Sequence, residues 1–73
     1  LGVSIVSTLL GQRIRKLRQA RGWRQLDLAE QAGLNENFIS DLELGRKEAC
    51  LGTLATLARA FDIKLAELFR GVE

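Results

Sequence analysis

Apolar positions recur at helical spacing along most of this chain. Leu10, Ile14 and Leu17 stand at i, i+4 and i+7, with Val6 one turn before and Ala20 one turn after in the same stripe. That stripe predicts an amphipathic helix from about Thr8 to Arg21, with Gln and Arg on its other face. Gly22 stops it, since glycine tolerates the backbone that closes a last turn. Residues 25–32, QLDLAEQA, predict a short helix with Leu28, Ala29 and Ala32 inward, ended by Gly33. Asn35 is a good N-cap for a third helix, and Glu36 in its first turn suits the helix dipole. Ile39 and Leu42 give this helix its inward stripe, and Gly45 ends it. After a basic turn at Arg46 and Lys47, the residues Leu51, Leu54, Leu57, Ala58 and Phe61 mark a fourth helix to about Phe61. A final short helix covers roughly Lys64 to Arg70, with Leu65, Leu68 and Phe69 apolar. No segment alternates at period two long enough for a strand, although Val3 and Ile5 hint at an extended tail. The expectation is an all-α chain, a compact five-helix bundle.

Composition narrows the chemistry. A chain of 73 residues fits one domain and is marginal even for that, so oligomerisation is expected. With no His and a single Cys, a zinc site, a disulfide framework and a Ser-His or Cys-His catalytic pair are excluded. Paired carboxylates fall only on faces expected to be solvated, and there is no phosphate-cradling glycine loop. A binding protein is therefore expected rather than an enzyme, with no metal and no cofactor. No apolar run approaches the roughly 18 residues of a membrane span and no signal-peptide pattern is present, so no membrane partner is expected. The lone Cys suits a reducing cytoplasm.

The net charge of +2 hides a lopsided distribution. Residues 1–24 carry six cations and no acid, whereas residues 25–45 carry five acids and no cation. A positive end is the electrostatic footprint of a nucleic-acid binder. The acidic middle keeps a second reading open, an antitoxin or protein-interaction module with a toxin or other protein as partner.

Two short helices separated by Ala32-Gly33-Leu34-Asn35 form a candidate helix-turn-helix. Gly33 supplies the positive φ such a turn needs, Leu34 can plug the angle, and the small Ala29 allows close approach. The longer string is more specific: Arg18, Gly22-Trp23, Gln25, Leu28-Ala29, Gly33-Leu34, Ile39-Ser40, Leu42-Glu43 and Gly45, continued by Leu54, Leu57-Ala58, Ala60, Leu65 and Leu68-Phe69. At these spacings the chain resembles the Xre/Cro-like (lambda repressor-like) helix-turn-helix regulators over nearly everything from Leu10 to Phe69. Within that family it resembles the small stand-alone members, the Cro-type phage repressors and the controller proteins of restriction-modification systems. The resemblance implies a bacterial or phage protein that binds duplex DNA as a homodimer on a pseudo-palindromic operator. It implies a DNA-binding domain over 8–70, with residues 1–7 a tail or helix extension and 71–73 a C-terminal tail.

The resemblance also implies roles. Gln25 matches a residue that hydrogen-bonds a phosphate and braces the reading helix. Arg24 stands where the family usually has a Ser or Thr N-cap, which weakens the cap but places a cation beside the expected phosphate. Glu36, Asn37, Ser40 and Asp41 take the positions that reach base edges, and Arg46 and Lys47 would grip the backbone. Asn37 suits adenine, Ser40 either a base or a phosphate, and the two carboxylates the N4 amine of cytosine. Glu43 is expected to form a structural ion pair with Arg18. Cys50, where the family usually caps the fourth helix with Ser or Thr, is expected to be a half-buried structural thiol.

Other residues have plainer expected roles. Asp27 and Glu30 should lie on a solvated face, and the cations from Arg13 to Arg21 should be mostly solvated, with Arg13 near DNA. Trp23 should be a packing plug. Phe38 has no obvious inward role and is assigned to a thymine methyl, a sugar edge or the neighbouring loop. Ile63, Leu65, Leu68 and Phe69 exceed what one short helix needs for its own core, which points to a dimer surface.

Overall fold

The computed structural model describes residues 4–72. Five helices follow in order: α1 (Ile5–Ala20), α2 (Gln25–Ala32), α3 (Glu36–Glu43), α4 (Leu51–Ala60) and α5 (Leu65–Leu68), and no strand occurs among the described residues. The domain measures 31 × 24 × 21 Å. No helix among the described residues is long and apolar enough to cross a membrane.

The stripes read from the sequence meet in a single core. Leu10 and Ile14 of α1 pack with Leu28 and Ala29 of α2, Ile39 and Leu42 of α3, and Leu54, Leu57, Ala58 and Phe61 from α4 and its end. Helix α3 lies against both α1 and α2, α2 also touches α4, and α4 carries α5. The α1–α3 seam is tight because Gly11 has no side chain. A Cβ there would fall 2.2 Å from the Leu42 carbonyl oxygen and 2.8 Å from that of Glu43.

Helix ends follow local chemistry. Ser4 Oγ accepts the Ser7 N–H at 3.2 Å, which starts α1 at Ile5, three residues earlier than the apolar stripe suggested. Residues 5–7 are thus helical. Ile5 is no part of an extended tail, while Leu1 to Val3, and Glu73 at the other end, lie outside the described residues. Gly33, at φ 66°, turns the chain between α2 and α3, and the Leu34 N–H reaches back to the Ala29 carbonyl at 2.9 Å. Asn35 Oδ1 then accepts the Asn37 N–H at 2.7 Å and opens α3. Helix α5 is a single turn of four residues, shorter than expected, with Phe69 as its C-cap.

Candidate nucleic-acid interface

Helices α2 and α3 and the turn between them present the residues singled out from the sequence. With Ile39, Leu42 and Glu43 of α3 facing inward, Glu36 and Asn37 stand exposed on the opposite face and Ser40 and Asp41 half-buried beside them. Arg46 and Lys47 follow, both exposed.

Behind that face lies a buried ionic cluster. Arg18 of α1 approaches Glu43 with both ends of a fork, Nε to Oε2 at 2.6 Å and Nη2 to Oε1 at 3.0 Å. The two side chains are 12% and 3% exposed. Arg18 Nη1 also donates to the Trp23 carbonyl at 2.8 Å. The carboxylate raises the Arg18 pKa further above its ordinary value, chiefly through the side-chain hydrogen bond, against an opposing desolvation. Gln25, at the start of α2, donates Nε2 to Glu43 Oε1 at 3.1 Å. The amide of Gln25 is therefore held by the pair that joins α1 to α3, with its second N–H left over.

Arg24 is engaged locally. The Asp27 carboxylate accepts its backbone N–H at 2.7 Å and its guanidinium at 3.0 and 3.2 Å. Asp27 thus makes the reciprocal half of a capping box, accepting the N–H of the N-cap residue, whereas the Arg24 side chain accepts no helix N–H; the pair lies at the surface. Both contacts hold the Asp27 pKa below the ordinary 3.8, the guanidinium contributing most. Glu30 is exposed as expected. Asp41 and Lys47, expected to face a base and a phosphate, lie 3.3 Å apart and pair with each other.

Several expectations need correction. Leu68 is fully buried in the core of its own domain, because the single turn of α5 points it at α4. It offers no surface for a dimer, whereas Leu65 is 41% exposed and Ile63 and Phe69 are half-buried against the core. Arg13 is tied to α5, with Nη2 donating to the Glu67 carbonyl at 2.8 Å and to its carboxylate at 3.1 Å. That contact makes it one partner of an ion pair with α5 and not a freely solvated cation. Arg21 is not free either: it donates to the Phe61 carbonyl and lies over the rings of both Phe61 and Trp23. Cys50 is exposed, not half-buried. It precedes α4 with its thiol against the Thr53 hydroxyl at 3.3 Å, which lowers its pKa.

Two sequence readings acquire a definite geometry. Trp23 stacks on Phe61 at 5.8 Å between centroids, filling the corner between α1 and the end of α4. Phe38 packs on the core from the side, with Lys47 Nζ 5.8 Å from its ring centroid. Sequence reasoning missed Gly11, Arg13–Glu67 and Arg21–Phe61. Only Gly11 had a signal, since glycine inside a helix is unfavourable unless something approaches closely.

Comparison with known proteins follows this geometry. A family model described as "Helix-turn-helix" matches residues 14–68. The chain is 44% identical over 64 residues to the HTH-type transcriptional regulator DdrOP3 of Deinococcus deserti, an alignment covering 88% of this chain and 50% of that protein. It therefore spans about half the length of that curated relative. Among solved structures, the restriction-modification controller protein C.AhdI from Aeromonas hydrophila superposes with a TM-score of 0.84 at 38% identity, covering 86% of this chain and 96% of that one. The biofilm regulator SinR, solved in complex with DNA, superposes at 0.77 with 26% identity, covering 82% and 97%.

Proposed function

The chain belongs to the helix-turn-helix family as an Xre/Cro-like domain, and from that premise we propose that it is a non-enzymatic transcriptional regulator that reads duplex DNA through α3. One observation carries this reading. Gln25 is braced against the buried Arg18–Glu43 pair at the edge of an α3 face whose polar groups are not needed by the core. In this proposal Gln25 gives its remaining N–H to a phosphate and Arg46 grips the backbone beyond α3, with Arg24 and Lys47 adding charge at the flanks. Asn37, Ser40 and Glu36 meet base edges, the amide suiting adenine and the carboxylate the amine of cytosine. The DNA-binding unit is the domain over 8–70, extended at its start by the first turn of α1, and its setting is a bacterial cytoplasm.

The same proposal makes the protein a homodimer. Leu68 is withdrawn into the core and Phe69 is half-buried against it, whereas Ile63 and Leu65 line an open groove between α4 and α5 that also exposes Ala55. Two-fold pairing across it would set two α3 helices one helical turn of DNA apart, ~34 Å, on a pseudo-palindromic site.

Selection from a random duplex library at low salt tests both parts. The wild-type chain should enrich a motif with two-fold-related halves one turn apart. Asn37→Ala should relax preference at one position in each half. Arg46→Ala should weaken every sequence alike and flatten the slope of log affinity against log salt by about 0.9. No enrichment by the wild type would end the DNA reading, and a single unrepeated half-site would remove the dimer alone.

A further inference from the structure

The outer face of α3 holds a contact that base reading does not use. Asp41 grips the basic turn twice: its backbone carbonyl accepts the Arg46 N–H at 2.8 Å, and its carboxylate lies 3.3 Å from Lys47 Nζ. Lys47 also stands over Phe38, whose ring is fixed by the core beneath it. The ammonium is thus located by a carboxylate and a ring on the same helix. To accept from a cytosine amine, Asp41 would have to carry a charge already engaged with Lys47 through Oδ2 into a groove flanked by phosphates. The phosphate repulsion and any loosening of that pair both oppose the step. Glu36, a turn and a half earlier, is exposed and makes no ion pair among the described residues, so it faces no such competition.

Resting on the DNA-binding reading above, we propose that Asp41 is a positioning residue for Lys47 and reads no base. It is the counter-ion that sets how much of the basic turn's charge a DNA backbone can use. In the free protein Asp41 partly neutralises Lys47. On DNA a phosphate competes for the same ammonium, so every contact Lys47 makes is discounted by the pair it leaves. The discount is the same for all sequences, because phosphates carry no sequence information.

The test compares wild type, Asp41→Asn, Lys47→Gln and the double variant. Each is run through random-duplex selection, then titrated against the wild-type-selected duplex and a scrambled duplex between about 50 and 200 mM salt. Asp41→Asn should enrich the same motif as wild type. It should bind both duplexes about two- to five-fold more tightly, the range expected for releasing one exposed ion pair. Its salt slope should steepen by up to about 0.9. In the Lys47→Gln background the same substitution should leave the slope unchanged and give a smaller gain. Asp41→Glu, which keeps the counter-ion, should select and titrate like wild type. A changed base preference at any position in Asp41→Asn overturns the proposal, and so does a gain of equal size without Lys47 or no gain at all. A wild-type chain that binds neither duplex defeats the DNA-binding reading itself, and this inference with it.

Discussion

Two of the three carboxylates on helix α3, Asp41 and Glu43, stand two residues apart, each paired with a cation from outside the helix, and their surroundings are opposite. Glu43 is 3% exposed and accepts from Arg18 through a two-pronged contact and from Gln25 as well. Asp41 is 28% exposed and meets a lysine that is itself 55% exposed. The first pair is largely withdrawn from water where α3 meets α1, so each partner depends on the other for its solvation. The second remains in water, where attraction is weak and a phosphate can take the carboxylate's place beside the lysine. Half a helical turn therefore separates a contact that holds the domain together from one free to respond to a ligand.

The contrast breaks most easily at its buried end. Glu43→Ala should cost about 3–5 kcal/mol in urea denaturation, because it strands the Arg18 guanidinium without its acceptor. Asp41→Asn should stay within about 0.5 kcal/mol of wild type by the same measurement. Replacing Arg18 and Glu43 together by Met should recover much of the single-variant loss, since well-packed apolar residues need no partner. Similar costs for the two carboxylates would mean that burial does not separate them.

Gly11→Ala sharpens the comparison with no change of charge. The added methyl meets backbone carbonyls of Leu42 and Glu43 and not a flexible side chain, so the helices must part. A loss of about 1–3 kcal/mol is expected, against the ~1 kcal/mol that alanine normally gains over glycine inside a helix. A rise in stability would show that the seam holding Glu43 has slack.

The smallest effect belongs to acid. Asp27, like Asp41, is part of a surface pair, and Arg24 depresses its pKa below 3.8. A carboxyl with a folded pKa below its unfolded value contributes stability that is complete above the unfolded value. That contribution is lost as pH falls below 3.8 toward the folded pKa. The stability difference between wild type and Asp27→Asn should therefore shrink over that acid range, followed by thermal unfolding. A gap that stays constant to low pH would show that the pair makes no net contribution.

Much of this arrangement was legible in the sequence, for reasons that also set its limits. The core followed from spacing, because a stripe at i, i+4 and i+7 has one way to be buried. Asn35 and Gly33 marked the α2–α3 turn because cap and left-handed geometry are properties of one or two residues. The Arg18–Glu43 pair was reached through the resemblance, since nothing local ties positions 25 residues apart. Leu68 was misassigned because hydropathy reports how much apolar surface a helix has, not which residue the following turn directs inward. The Arg13–Glu67 and Arg21–Phe61 contacts had no sequence signal, because a long cation can reach several partners and only the folded backbone selects one. Ser4 was missed as a cap because apolar residues on both sides made the segment read as a tail.

The corner where Arg21 lies over Trp23 and Phe61 has a practical consequence. Trp23 is the only tryptophan in the chain, and its ring stacks within 15° of parallel on Phe61 while its carbonyl accepts from Arg18. Intrinsic fluorescence therefore has a single source, placed where α1, the start of α2 and the end of α4 converge. Its emission reports the integrity of that corner during unfolding without any added label. Because Trp23 immediately precedes Arg24 and Gln25, the residues proposed to meet phosphate, an emission change on adding DNA would report that edge of the domain, an optical readout separate from base preference.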